Sequence, residues 1–339
     1  MKASIRCASL GLVVLSAALA ACGDDSATGG SAPGGGNTGG TPSTGGSNEG
    51  GGGSAPIGGG GGMGEGGSGT PECVGLVAGP IEPVEVTDEF SGSEDIAFDG
   101  AGNIWGKDGN AVLRVDAGKN QMATAQVPGQ SYGLRFGSNG NLFIAQPQAG
   151  TIVEVDDDVV TTFVTGLAGP NGVYPDFDGN LWVTEFGGGR VIKIDSTGAK
   201  TTIVDGVNSP NGVVLDVARN LLFYSSYSQG RVFRVDPAGA TDPVQVAEID
   251  GSIDGLVLDS CGNVYAIDQV GSDLYRLNLD GSANLIGEPE FIAHFPQNVA
   301  NAQFGSGTGW NTTSLYAGGN PGFIYEVPVG VGGAPVPTP

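Results

Sequence analysis

A unit of about forty residues recurs six times along the chain, and it limits the available folds more than any other feature. Five units open with "SEDIAFD" at 93–99, "SYGLRFG" at 131–137, "PNGVYPD" at 170–176, "PNGVVLD" at 210–216 and "IDGLVLD" at 253–259. A looser sixth unit opens with "ANAQFG" at 300–305. The second residues of these openings are 38, 39, 40, 43 and 47 positions apart. Self-similarity at a nearly fixed period indicates an array of equivalent structural units.

Each unit continues with short segments that read as β-strands. After a turn bearing Asn or Gly-Asn comes an aromatic and β-branched run such as "GNLWVTE", and then an alternating run such as "RVIKID". Most units add a fourth segment, such as "TTFVTG" at 161–166. Alternation with period two is typical of half-buried antiparallel strands. Four short strands per unit predict an all-β fold, a six-bladed β-propeller with four-stranded blades.

The sixth unit lacks a fourth strand, because the chain continues into "GGAPVPTP". Residues 76–90 have strand character but precede the first unit. We expect this segment to supply the outer strand of the sixth blade and close the ring, since it would pair an otherwise open edge. The predicted propeller covers residues 72–330, and the Gly- and Pro-rich residues 331–339 are predicted to be a disordered tail.

The first 21 residues have the pattern of a secretion signal, with an apolar stretch too short to span a membrane. The segment ends in "LAAC", which resembles the lipobox of bacterial lipoproteins and implies cleavage before Cys22 and a lipid on that cysteine. The alternative is an ordinary signal peptide. Gly23 follows rather than the aspartate associated with inner-membrane retention, so we expect the cell envelope, at the periplasmic or surface side of the outer membrane.

Residues 22–71 are predicted to be a flexible tether, because they are almost only Gly, Ser, Thr, Ala, Pro and Asn. The whole chain has 36 acidic and 13 basic residues, a net charge of −23. That balance argues against binding nucleic acid or anionic membranes through charge, and suits cations and neutral ligands. We therefore expect membrane contact through the lipid anchor only.

Cysteine and histidine counts restrict the chemistry further. Cys73 and Cys261 are the thiols left outside the signal and the lipidation position, in an oxidising compartment. The predicted closing strand puts both cysteines on one face, which permits a disulfide without requiring it. His294 is the single histidine, so sites that need two imidazoles are excluded.

The start of each first strand points one side chain toward the channel of a propeller. Four of these positions carry carboxylate or amide oxygens, and a fifth donor is Asn301; the four are Glu94, Asn171, Asn211 and Asp254. Hard oxygen donors with two negative charges suit Ca²⁺ or another divalent cation. The alternative is a hydrogen-bonded polar plug, since Asn-Gly is also a common turn dipeptide. Tyr132 and Asn301 are predicted to line a substrate pocket, with simple filling of the channel as the alternative for Tyr132.

The chain resembles the senescence marker protein/gluconolactonase/luciferin-regenerating enzyme family over about residues 90–328. The resemblance is carried by "GSEDIAFD", "GPNGVYPDFDGNLWVTEFGGGRVIKID", "SPNGVVLD" and "IDGLVLDSCGNVYAID"; "GSED" with the asparagines is also similar to paraoxonases. It implies a Ca²⁺ held by Glu94, Asn171, Asn211 and Asp254, with a lactone or ester carbonyl on the same metal. Asp254 is implied as the general base or the residue that orients water.

Two departures from that family pattern are visible. Many family lactonases carry an acid–base aspartate where this chain has Gly172, and the paraoxonase histidine dyad cannot form with His294 alone. The prediction that the resemblance and the lipobox still favour is a lipid-anchored, calcium-dependent hydrolase of lactones or related esters. The alternative is a non-catalytic, calcium-stabilised propeller that acts as a binding module. A streptogramin-inactivating lyase is a weaker alternative, because it calls for a better placed histidine.

Overall fold

The computed structural model describes residues 73–91, 94–319 and 321–339. The predicted signal, the tether and Cys22 lie outside these ranges. Within them, no helix is long and apolar enough to cross a membrane.

Twenty-four β-strands and one short 3-10 helix, Tyr227–Gln229, make up the fold. In chain order the strands are β1 (Val84–Thr87), β2 (Ala97–Phe98), β3 (Asn103–Asp108), β4 (Ala111–Asp116), β5 (Gln121–Gln126), β6 (Leu134–Phe136), β7 (Leu142–Gln146), β8 (Thr151–Asp156), β9 (Val159–Val164), β10 (Pro170–Pro175), β11 (Leu181–Glu185), β12 (Arg190–Ile194), β13 (Lys200–Val204), β14 (Pro210–Asp216), β15 (Leu221–Ser226), β16 (Arg231–Val235), β17 (Val244–Glu248), β18 (Ile253–Leu258), β19 (Val264–Asp268), β20 (Asp273–Leu277), β21 (Glu290–His294), β22 (Asn301–Phe304), β23 (Ser314–Gly318) and β24 (Ile324–Pro328).

The strands form six antiparallel four-stranded sheets arranged as a ring, so the predicted six-bladed propeller is confirmed. Blades I to V are the consecutive groups β2–β5, β6–β9, β10–β13, β14–β17 and β18–β21. The apolar core lies between neighbouring blades. At the junction of blades VI and I, for example, the rings of Phe98 and Tyr316 meet edge to face with centroids 5.2 Å apart.

Blade VI contains β22, β23 and β24, and its outer strand is β1, which pairs with β24. Glu85 lies opposite Tyr325 in that pair. Just before β1, Cys73 forms a disulfide with Cys261 in the β18–β19 turn, and their Cα atoms are 5.9 Å apart. The segment before β1 is thus bonded to blade V as well as to blade VI.

Aspartates at the end of several first strands hold the turns to the second strands. In blade III, Asp176 accepts hydrogen bonds from the backbone N–H groups of Asp178 and Asn180 at 3.0 and 2.9 Å. Its other oxygen accepts the indole N–H of Trp182 at 3.0 Å. This network explains why an Asp follows each of several first strands at the end of the channel away from the repeat openings.

Residues 331–339 differ from the predicted disordered tail. The N–H of Ser260 donates to the carbonyl of Gly332 at 2.8 Å, and Ala334 donates to Leu258 at 2.9 Å. Ala334 and Val336 line a cavity of about 50 Å³ at the end of the channel with residues of the first strands. The composition misleads because the apolar residues between the prolines cover channel surface that would otherwise face water.

Candidate functional site

Contacts between neighbouring blades define the ring position, which is the residue at the start of each first strand. The N–H of Gly133 donates to the carbonyl of Asn171 at 2.9 Å, and Gly255 makes the same bond to Ala300. In each pair the glycine follows the ring residue of one blade, and the carbonyl belongs to the ring residue of the next.

Hydroxyl groups bridge the same gap in blades III and IV. The N–H of Gly172 donates to Thr184 Oγ1 at 2.8 Å, and that hydroxyl donates to the carbonyl of Asn211 at 2.5 Å. Ser225 plays the same part between Gly212 and the carbonyl of Asp254, at 2.7 and 2.9 Å. The ring residues are therefore held by a hydrogen-bonded chain that runs from blade to blade.

The glycine after each of these ring residues is required by space. A Cβ on Gly172 would lie closer to the Asn211 carbonyl oxygen than van der Waals contact allows, and one on Gly212 would meet the Asp254 carbonyl in the same way. Neither glycine has a left-handed backbone, so the requirement is for close approach and not for conformation. Gly172 therefore faces the next blade, and an aspartate could not occupy this backbone without displacing it.

A second set of bonds fixes the loop that leads into each ring residue. In blades I to V the last residue of the second strand is polar and bonds to that loop; the pairs are Asp108 with Ser91, Gln146 with Pro128, Glu185 with Ala168, Ser226 with Asn208 and Asp268 with Ser252. Glu185 also pairs with Arg190 at 2.6 Å. We call these five residues the loop anchors. Four of them bond to backbone groups and Asp108 accepts from the Ser91 hydroxyl, and these bonds hold the loops that lead into the ring residues.

The structure corrects the predicted position of Asn301. The ring residue of blade VI is Ala300, whose carbonyl accepts from Gly255, and Asn301 follows it. Asn301 Oδ1 accepts the N–H of Ala302 at 2.8 Å. The first strands of blades III, IV and V contain a β-bulge at the ring position, whereas β22 pairs in continuous register from Asn301, so its frame differs from theirs by one residue.

Blade I has a carboxylate where the blades II to V have glycine. Asp95 follows the ring residue Glu94, and its oxygens accept the N–H groups of Ile96 at 2.8 Å and Leu134 at 3.0 Å. Asp95 also forms a buried ion pair with Arg135. This arginine donates to the carbonyls of Ile96 and Leu134 as well. Its guanidinium group is therefore occupied by partners below the ring.

The ring acids strongly affect each other. Burial raises the pKa of Glu94 to about 7, and the neighbouring charge of Asp95 adds to the rise. Burial also raises the pKa of Asp254, the charges of Glu94 and Asp95 raise it further, and a hydrogen bond from the Asn211 side chain lowers it. Glu94, Asn211 and Asp254 therefore lie within mutual reach, and Asn171 lies beside Asn211 in the ring.

The donor chemistry of this ring fits a hard divalent cation. Across residues 73–91, 94–319 and 321–339, no three or more His, Cys, Asp and Glu side chains are placed together as a metal-ligand group. The ring offers two carboxylates and two amides instead, from Glu94, Asp254, Asn171 and Asn211. A cation between the carboxylates would relieve the repulsion that raises their pKa values.

The mouth of the channel contains residues that the sequence did not single out. Phe186, Tyr227 and Gln269 each directly follow a second strand, and their N–H groups make equivalent bonds to Gly169, Ser209 and Ser252 at 2.9, 2.9 and 3.0 Å. We call these three residues the mouth rim. Their differing side chains hide the equivalence, and only their distance from the repeat opening could have indicated it.

The rim and the ring are close to each other. The pKa of Tyr227 is raised by burial and by the negative charge of Asp254. Tyr132, half-buried at the ring position of blade II, has its pKa raised by burial and by Glu94 and Asp254. Rim and ring therefore line one entrance.

The contacts of His294 are with residues outside the ring and the mouth rim. It ends β21, the outer strand of blade V, and its Nδ1 is 2.7 Å from Asp273 Oδ1. The side chain is largely exposed, at 65%. It is a surface residue and takes no part in the ring.

Comparisons with known sequences find one matching family and a curated relative. The sequence profile of the SMP-30/Gluconolactonase/LRE-like region matches residues 108–289. Pentonolactonase XacC of Haloferax volcanii is 24% identical over 163 residues, which cover 44% of this chain and 56% of the relative. The chain thus spans about half the length of that curated relative.

Solved structures share the fold at low identity. A gluconolactonase from Xanthomonas campestris superposes with a TM-score of 0.59 and 19% identity, over 75% of this chain and 98% of its own. Regucalcin from Agrobacterium tumefaciens, described as a calcium-binding protein, gives a TM-score of 0.60 and 17% identity, over 76% and 98%. Likeness at such identities concerns the fold alone.

Proposed function

The chain belongs to the SMP-30/gluconolactonase/LRE-like family, and from this premise we propose that it hydrolyses lactones or related esters at the channel ring. The observation that carries the proposal is the pair of facing carboxylates, Glu94 and Asp254, fixed beside two amides at the channel entrance. The relatives named as a pentonolactonase and a gluconolactonase support this choice of substrate class.

The proposed cofactor is Ca²⁺ or another divalent cation. Glu94, Asn171, Asn211 and Asp254 would hold it, and the calcium-binding relative supports calcium in particular. When bound, the cation would supply Lewis-acid polarisation of the substrate carbonyl. Their separate anchoring, by inter-blade bonds and loop anchors, would keep these four side chains in position before substrate arrives.

Asp254 is the proposed general base. Its carboxylate would take a proton from a water molecule whose oxygen bonds to the acyl carbon, while the bond from that carbon to the ring oxygen breaks. The leaving oxygen is then protonated, so one water is consumed and a hydroxy acid is formed. The hydrogen bond from Asn211 would orient Asp254 for this role.

Thermal unfolding with and without calcium, together with hydrolysis of a lactone panel, tests the proposal in the full-length protein. Calcium should raise the melting temperature of wild type and not of Asp254→Ala, because a ligand that binds only the folded state stabilises it. Lactone turnover should require calcium in wild type and vanish in the variant. Asp273→Asn, a surface change with the same loss of charge, is the control and should resemble wild type.

The outcomes separate the candidate functions. Stabilisation by calcium without turnover of any lactone or ester would favour the binding-module alternative. If calcium stabilises wild type and Asp254→Ala equally, the ring is not the cation site and the proposal fails.

The proposal includes attachment to the cell envelope through Cys22, which lies outside the described residues. The "LAAC" segment supports it, since it resembles a lipobox. Labelled fatty acid should enter the wild-type protein and not Cys22→Ser. Equal labelling of both would overturn the anchor.

A further inference from the structure

The mouth rim offers apolar surface directly above the ring. Phe186 keeps 38% of its surface exposed, and its ring meets the Tyr227 ring edge to face with centroids 5.9 Å apart. The Tyr227 hydroxyl donates to Gln269 Oε1 at 2.8 Å. Because that hydroxyl is engaged inside the rim, Tyr227 presents mainly its aromatic surface to a ligand.

Polar groups next to the rim are committed elsewhere. The loop anchor Glu185 accepts from Ala168 and pairs with Arg190, and only 1% of its side chain is exposed. The loop anchor Ser226 donates to Asn208 at 2.6 Å. A polyhydroxylated ligand needs free donors and acceptors around it, whereas an alkyl or aryl group needs contact surface.

Charge adds a second restriction. The floor beneath the rim carries Glu94, Asp95 and Asp254, with Arg135 already paired to Asp95. The proposed cation would offset the carboxylates of the floor, so the restriction comes from the net charge of −23, which disfavours the approach of an anionic substrate and does not oppose a neutral one.

We propose, building on the hydrolase function above, that the mouth rim binds an apolar substituent of a neutral lactone, so that alkyl- or aryl-substituted lactones are favoured over polyhydroxylated ones. The lactone ring would lie at the channel ring, and its substituent would contact Phe186 and Tyr227. Phe186 is then a specificity-determining residue.

The test compares kcat/KM for γ-butyrolactone, γ-nonalactone and glucono-δ-lactone in the full-length protein. Burial of each CH₂ group improves binding about fourfold, so partial burial of the pentyl tail should favour γ-nonalactone over γ-butyrolactone by at least about tenfold. Phe186→Ala should reduce this preference several-fold, because half of the aromatic contact is removed. The readout is the ratio of the kcat/KM values for γ-nonalactone and γ-butyrolactone, so a change common to both substrates does not enter it.

Phe177→Ala is the matched control, because Phe177 is a phenylalanine with 57% exposure in the turn after β10, at the opposite end of the channel. It should leave the preference unchanged. The inference is overturned if Phe186→Ala keeps the wild-type preference, or if glucono-δ-lactone is the best substrate of the three.

Binding of two hydrolysis-resistant lactams separates this inference from the hydrolase proposal. 5-Pentyl-2-pyrrolidinone should bind wild type at least about tenfold more tightly than 2-pyrrolidinone by calorimetry, and lose that advantage in Phe186→Ala. With no lactone turnover but this binding pattern, the rim inference stands and the hydrolase proposal fails. Turnover without any tail preference in either assay would overturn the rim inference alone.

Discussion

The two ends of the channel are built from the same six first strands but treat carboxylates in opposite ways. At the ring end, burial raises the pKa values of both Glu94 and Asp254; the charge of Asp95 adds to the first shift, and the charges of Glu94 and Asp95 add to the second. At the other end, burial also acts to raise the pKa of Asp99, but hydrogen bonds from the Trp105 indole and Asn103 outweigh it and lower that pKa. Asp99 is thus surrounded by N–H donors, whereas Asp254 lies beside other carboxylates.

Closure also differs between the ends. The ring end is bordered by the mouth rim, whereas Ala334 and Val336 line the cavity at the other end. The disulfide between Cys73 and Cys261 lies at that covered end, because Cys261 occupies the β18–β19 turn. One end of each first strand therefore supplies stability, while the other carries the proposed chemistry. Substitutions at one end should accordingly change stability, and substitutions at the other should change turnover.

The largest expected effect compares an aspartate from each end. Asp254→Asn should lower kcat/KM for a lactone by roughly 10²- to 10⁴-fold, because the general base is lost. Its calcium-free melting temperature should not fall, since repulsion with Glu94 is relieved.

Asp176→Asn should have the opposite effects: turnover by the folded protein should change little, and stability should fall. It disrupts bonds to two N–H groups and the Trp182 indole, so we expect it to lower stability by about 2–3 kcal/mol.

Denaturant unfolding and steady-state kinetics on both variants measure this contrast. The comparison between the two ends fails if Asp254→Asn destabilises the calcium-free protein as much as Asp176→Asn does. It also fails if Asp176→Asn lowers turnover while its folded fraction is complete.

The disulfide should give the next largest effect, and on stability alone. Replacing Cys73 and Cys261 together by serine should lower the free energy of unfolding by about 2–5 kcal/mol, because the bond closes a long loop of the unfolded chain, with 188 positions between the cysteines. Calcium affinity and lactone kinetics should stay at wild-type values below the melting transition. Altered ring function in the folded double variant would show that the two ends are coupled.

The sequence predicts the blades and most of the ring because one repeat specifies both. Period-two alternation gives the strands, and alignment of the openings gives Glu94, Asn171, Asn211 and Asp254 their place. Alignment misplaces Asn301 because β22 lacks the bulge present in blades III, IV and V, and a shift of one residue cannot be read from a loosely matching segment.

Other features depend on contacts between distant segments. The mouth rim has no common residue type, so Phe186, Tyr227 and Gln269 are related only by their equivalent backbone bonds. The covering of the channel by Ala334 and Val336 depends on surface that exists only after the blades assemble. The composition of residues 331–339 shows that the segment is rich in Gly and Pro, but it does not show which surface the segment covers.

A smaller effect tests the space around the ring. Gly172→Ala should destabilise the protein by about 1–3 kcal/mol, because the new methyl group would press against the Asn211 carbonyl. Calcium binding should weaken in parallel, since Asn211 is displaced. Gly187→Ala in the same blade is the control, as its Cβ would approach the Ala168 carbonyl only to 3.2 Å. Thermal unfolding and calcium titration of both variants check this, and equal melting temperatures would contradict close approach at Gly172.

The smallest effect is the pH dependence that the ring acids impose. The pKa of Glu94 is about 7 in the folded protein, above the ordinary value of 4.5, so between these values the folded state holds a proton that the unfolded state has lost. The contribution of Glu94 to the stability of the calcium-free protein should therefore fall as pH rises from about 4.5 to about 7.

Calcium must displace the proton on Glu94, so calcium affinity should rise with pH, by at most roughly tenfold per pH unit for this proton below pH 7. Calcium titrations at pH 5.5, 6.5 and 7.5 measure this, with Glu94→Gln as the variant that should reduce the slope in stability by the contribution of this group. A wild-type affinity that does not change with pH would mean that the cation binds away from Glu94, and the ring end would then lose the feature that distinguishes it from the covered end.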